Sequence, residues 1–171
     1  MEELVCDSRL LPYNVRTKYF TEVTNLDLKS LFWDGFYDYC AERQDFVSVY
    51  ADPSGRAENN GWYATFGLGM RGVHATAYFA RRDGWVGVNL WFSDASLYEG
   101  LLARREEVDA LLANLGGKIS WREPSEKTRE LQVRLGADVS SEHWDELYGW
   151  LVIGLLRMRG LALGFPALLS E

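Results

Sequence analysis

Metal-binding and nucleophilic side chains are scarce in this chain. Of its 171 residues only two are histidine, His74 and His143, and only two are cysteine, Cys6 and Cys40. Neither histidine belongs to a metal-spaced pair. The His-x-Glu with Pro-Cys-x-x-Cys pattern is missing too, so zinc hydrolase and deaminase readings fail. The cysteines lie too far apart for a metal or redox motif and read as reduced thiols of a cytoplasmic protein. No Gly-x-Ser-x-Gly elbow occurs. Gly67-Leu68-Gly69 lacks the Gly-x-Gly-x-x-Gly spacing and any Walker ending, so these glycines read as turn residues. Cations are also in deficit. Lys and Arg number 18 against 25 Asp and Glu, for a net charge of −7 and a pI near 4.9. Such a balance argues against a non-specific grip on nucleic acid, although it leaves room for a local basic patch. The start, Met1-Glu2-Glu3, has neither the basic nor the apolar region of a signal peptide. The most apolar stretch, Leu151 to Leu169, carries Arg157, Arg159 and Pro166, and no membrane span is expected there.

What the chain does have is aromatic residues and alternation. It contains 7 Trp, 9 Tyr and 8 Phe, which serve cores and binding faces alike. Val73, Ala75, Ala77 and Phe79 alternate with His74, Thr76, Tyr78 and Ala80. Val86, Val88, Leu90 and Phe92 alternate with Trp85, Gly87, Asn89 and Trp91. This period of two predicts a pair of half-buried strands, and Asp83-Gly84 between them predicts a two-residue hairpin turn. That register pairs Phe79 with Val88, Ala77 with Leu90 and Ala75 with Phe92 on an apolar face. It pairs Tyr78 with Asn89, Thr76 with Trp91 and His74 with Ser93 on a polar-aromatic one.

A first helix is expected from Asn25 or Asp27 to about Arg43, with Leu28, Leu31, Phe32, Phe36, Tyr39 and Cys40 at helical spacing. Residues 51–61 read as a polar loop and Trp62 to Leu68 as a strand. Ser96 followed by Glu99 resembles a capping box opening one helix that runs to Leu115, ended by Gly116-Gly117. Ile119 with Trp121, then Leu131, Val133 and Leu135, predict a second strand pair. A last helix starts near Ser140 or Ser141, with Gly154 and Gly160 suggesting close packing or an early stop. The expected architecture is α+β: a mostly antiparallel sheet in the order α-βββ-α-ββ-α, helices packed on one face. Residues 1–24 form an N-terminal arm or strand, and residues 25–171 a single domain.

The Asp-x-Lys pattern by which restriction-type nucleases hold magnesium occurs only as Asp27-Leu28-Lys29. It falls at a helix start, where Asp caps and Lys is surface, so the chain is not read as a nuclease. Arg81, Arg82 and Trp85 cluster at the hairpin tip, and Lys118, Trp121, Arg122, Lys127 and Arg129 around the second strand pair. Cations beside aromatics contact phosphates and stack bases. The competing reading makes Trp121 core and the cations a solvated rim.

From about Leu31 to Phe165 the chain resembles a bacterial domain of unknown function often appended to restriction-endonuclease-like or other defence-associated proteins. The resemblance is carried by Phe32-Trp33 with Phe36, Gly61-Trp62-Tyr63, Gly67-Leu68-Gly69 and Val88-Asn89-Leu90-Trp91-Phe92. Further on it rests on Leu101, the Glu106 to Leu115 helix, Ile119-Ser120-Trp121, Trp144 and Trp150-Leu151. It implies an accessory or recognition module and brings no catalytic residues. The element order is also similar to that of the small, acidic, dimeric type III secretion chaperones. The leading expectation is a non-enzymatic cytoplasmic module that binds a protein or nucleic-acid partner through Thr76, Tyr78, Arg81, Arg82, Trp85, Asn89, Trp91 and Arg122. The alternatives are a chaperone-like homodimer, an acidic mimic of nucleic acid, and an enzyme of unrecognised type. No residue is assigned to catalysis, to a metal or to a cofactor.

Overall fold

The computed structural model describes residues 25–50, 56–57, 61–125, 127–139 and 144–168. The expected N-terminal arm over residues 1–24 and the helix start at 140–143, with His143, lie outside these residues. The elements run α1 (Asn25–Ala41), α2 (Gln44–Val47), β1 (Arg56–Ala57), β2 (Tyr63–Gly67), β3 (Val73–Ala80) and β4 (Trp85–Phe92). They continue with α3 (Ala95–Ala103), α4 (Arg105–Ala113), β5 (Lys118–Ser125), β6 (Thr128–Gly136) and α5 (Trp144–Leu168). All six strands form one antiparallel sheet in the order β1-β2-β3-β4-β6-β5. The fold is α+β, as its alternating and helical periods imply.

Helices cover the sheet face that carries the aliphatic half of each alternation. Helix α5 packs across β4 and β3, α1 packs on α5, α3 lies against β4 and β6, and α4 lies against β5. The core joins Phe79, Val88, Leu90 and Leu131 of the sheet to Phe32 and Phe36 of α1 and to Leu151, Leu155 and Met158 of α5, each fully buried. Phe32 stacks on Phe79 at 3.8 Å between centroids, and Trp144 and Tyr148 meet Phe32 edge-on. Each such side chain contributes about 1.5–3 kcal/mol on leaving water. Close approach of α5 depends on Gly154, where a Cβ would lie 2.8 Å from Val88 Cγ2. The apolarity of α5 suits its length for a membrane, yet Leu151, Leu155 and Met158 spend that apolarity on the sheet.

Four expectations need correcting. The hairpin register is Phe79↔Val86, Ala77↔Val88, Ala75↔Leu90, Thr76↔Asn89 and His74↔Trp91, two residues from the expected one. A two-residue turn at Asp83-Gly84 would need positive φ at both, but among the described residues only glycines adopt it. Arg81–Asp83 instead forms a short 3-10 turn, and Gly84 alone turns left-handed at φ 66°. A slip of two residues leaves every side chain on its face. Second, the helix expected from Ser96 to Leu115 breaks at Arg104, whose φ of −111° and ψ of 30° end α3 and open α4. The break redirects the chain from β4 and β6 to β5. The N-cap of α3 is Asp94 and not Ser96; Asp94 accepts from the Ser96 N–H at 2.9 Å and the Ser96 hydroxyl at 2.7 Å. Third, the loop expected over 51–61 contains β1, which pairs Arg56 with Thr65 and Ala57 with Ala64 of β2. Gly160 does not stop α5, which runs to Leu168.

Candidate binding face of the sheet

Strand alternation sends the other half of each strand to the face without a described helix, and the register sets those side chains in rows. One row reads Gly67, His74, Trp91, Glu130 and Arg122 across β2, β3, β4, β6 and β5. The next reads Thr65, Thr76, Asn89, Gln132 and Ser120, and the third Tyr63, Tyr78, Gly87, Arg134 and Lys118.

This face has two levels. Its floor is polar and buried: Thr76 is 2% exposed, Asn89 0%, Glu130 2% and Gln132 2%. Buried polar groups are costly unless bonded, and most of these are. Asn89 Nδ2 donates to Glu130 Oε2 at 2.9 Å and to the Tyr78 hydroxyl at 3.1 Å. Arg122 pairs with Glu130 from the strand edge at 2.5 Å, itself 47% exposed. Arg134 Nε donates to Gln132 Oε1. Asn89 Oδ1 is buried and accepts no hydrogen bond.

Half-buried rings form the upper level. The Tyr78 hydroxyl is held by Asn89. Tyr63 lies 5.7 Å and Trp85 6.0 Å from the Tyr78 ring. His74 stacks with Trp91 at 6.0 Å and 15°. Trp85 lies over Gly87, where a Cβ would come within 3.0 Å of its Cζ3. The Arg134 guanidinium sits 4.4 Å above the Trp85 ring, a cation–π contact. Burial raises the Tyr78 pKa and lowers that of His74. Both groups are therefore neutral at pH 7.

The residues read from sequence separate accordingly. Thr76 and Asn89 belong to the floor, Tyr78, Trp85 and Trp91 to the rings, and Arg81 and Arg82 to the exposed hairpin tip. Arg122 stands at the β5 edge. Trp121 and Arg129 leave this cluster. Trp121 faces the helices and donates to Asp109 Oδ1 at 2.9 Å, while Arg129 pairs with Glu123 at 3.2 Å. Sequence reading named Lys118 but missed Tyr63, Glu130, Gln132 and Arg134. For the last three the signal was the polar half of the β6 alternation, which gains meaning only once β6 is known to pair with β4.

Elsewhere, the buried Cys40 thiol has its pKa pushed up to about 12 by desolvation, which leaves it unreactive. Among the described residues no group of three metal-ligating side chains forms. A shallow notch lies at Arg71, Gly72, Ser93, Asp94 and Ala95.

The profile of a family described as a domain of unknown function, DUF4268, matches residues 28–162. No curated protein and no solved structure matches the chain. The matched span runs from α1 to α5, and the chain belongs to the DUF4268 family.

Proposed function

We propose that this DUF4268 domain is a non-enzymatic, cytoplasmic binding module, and that its helix-free sheet face with the hairpin tip recognises a protein or nucleic-acid partner. The observation that carries the reading is the pairing of a buried, hydrogen-bonded polar floor with half-exposed rings above it. A face meant only to meet water has no need of Glu130 and Asn89 at 2% and 0% exposure, which cost desolvation. A floor of that kind fixes ring positions, as a recognition surface requires. The accessory role beside restriction-endonuclease-like or defence-associated proteins rests on the resemblance of its aromatic positions to such domains.

The test is site-directed photo-crosslinking in cells that express the protein naturally. Benzoylphenylalanine replaces Arg82 at the exposed tip or, separately, Glu106 on exposed α4. The expected result is a discrete adduct from position 82, lost when Trp91→Ala is added, and none from position 106. Adducts from position 106 alone would overturn the reading.

One observation favours a second reading, self-association through the helices. Leu111 is 55% exposed beside an apolar groove of about 300 Å³ between α4 and α5, lined by Val108, Leu112 and Leu161. Light scattering would then show a dimer that Leu111→Glu converts to monomer.

A further inference from the structure

Charge is segregated between the two layers of this fold. The helices carry ten carboxylates against four cations, whereas the strands carry five cations against two carboxylates. One of those two is Glu130, buried in the floor and already paired with Arg122. On the face that no described helix covers, this leaves Lys118 and Arg134 as a cross-strand pair, Arg122 four residues along β5 from Lys118, and Arg82 at the exposed hairpin tip. A chain of net charge −7 therefore sets cations beside its half-buried rings.

Resting on the binding-module reading, we propose that the partner is a single-stranded nucleic acid laid along the β4–β6–β5 side of this face. Its bases stack on Trp85 and Trp91 of β4, two strands in from the edge at about 4.8 Å per strand, and its phosphates follow Lys118 and Arg122 on β5. Three features select a single strand. Rings at sheet spacing offer π faces to successive bases, and this stacking is open only to bases that are not already paired and stacked in a duplex. Among the described residues this face presents no helix of the kind that enters a major groove. The cations line the rings on one side, where a sugar–phosphate backbone would run with its bases turned inward.

The deciding measurement is fluorescence anisotropy of the full chain with a labelled mixed-sequence oligonucleotide of about 20 nucleotides, as single-stranded DNA, single-stranded RNA and duplex, over a salt series. Single strands are expected to bind at least about tenfold more tightly than duplex. Affinity should fall with salt at a logarithmic slope of about −1.4, the value for two phosphates on a single strand. Lys118→Ala, at an exposed position, should reduce that slope by about 0.7. Trp91→Leu should weaken binding about 5- to 100-fold and Trp91→Phe much less, with circular dichroism confirming that both variants fold. Duplex binding as tight as single-strand binding, or no binding to either at the lowest salt, would overturn the inference. If oligonucleotides fail while the position 82 adduct survives nuclease and yields to protease, the partner is a protein and the binding module stands. If the position 82 adduct is missing as well, both readings fall.

Discussion

The helix-covered face of the sheet and the face that no described helix covers draw on alternate residues of β3 and β4 and solve opposite problems with them. Phe79 and Tyr78 are neighbours in sequence. Phe79 is fully buried in an apolar layer against Phe32, whereas Tyr78 is half-buried with its hydroxyl tied to Asn89. On the first face close packing does the holding, so shape and volume decide. On the second, directional bonds hold large rings in place while leaving part of each ring uncovered. A two-residue period thus lets one strand anchor the fold with odd positions and expose chemistry with even ones, or the reverse.

The sharpest way to break that comparison is to truncate the two neighbours in turn. Phe79→Ala should destabilise the domain by about 3–5 kcal/mol, through lost burial and the cavity left beside Phe32. Tyr78→Ala should cost about 1–2 kcal/mol, since Asn89 keeps Glu130 as a partner. Urea unfolding measures both, and equal losses would mean that the two faces are equally structural.

A smaller effect tests the floor itself. Glu130→Ala strips Asn89 and Arg122 of a shared acceptor and should cost about 2–3 kcal/mol. Glu130→Gln keeps an acceptor for Asn89 and loses only the ionic partner of the half-exposed Arg122, at about 1 kcal/mol. If the two substitutions are indistinguishable, the hydrogen bond to Asn89 contributes nothing.

The smallest effect is a pH dependence at the rim of the face. Burial lowers the His74 pKa below its ordinary 6.5. As pH falls, the unfolded chain therefore takes up this proton before the folded one does. The contribution of His74 is constant above that ordinary value, and stability is lost as pH drops from it towards the folded-state pKa. His74→Gln should flatten this part of the melting-temperature profile, while the carboxylate-dependent loss at lower pH remains.

Faces were legible in the sequence and rows were not. Alternation in 73–80 and 85–92 assigns each side chain to a face whatever the register, which is why the two-residue slip moved Thr76 from Trp91 to Asn89 without turning either around. Asp83-Gly84 misled because a tight turn demands positive φ from both residues, and Asp83 gives way to a longer loop at little cost. The break at Arg104 has no glycine or proline to announce it and follows from how α3 and α4 meet different strands. Glu130 and Gln132 read as the solvated side of a strand, since no local pattern tells that β6 inserts between β4 and β5. Burial of a charged residue at the middle of a sheet is a property of strand order, and strand order is tertiary.

Strand order has one more consequence, at one margin of the sheet. β5 offers eight residues to a neighbour, but its pairing is irregular between Arg122 and Ser125, a stretch that includes Pro124, which has no N–H to give. Lys118, Arg122 and Glu123 add charge along the same strand. A stray extended chain meeting the β5 edge finds a template that is broken and charged. Protection against strand addition at this edge is thus written into the sequence of β5.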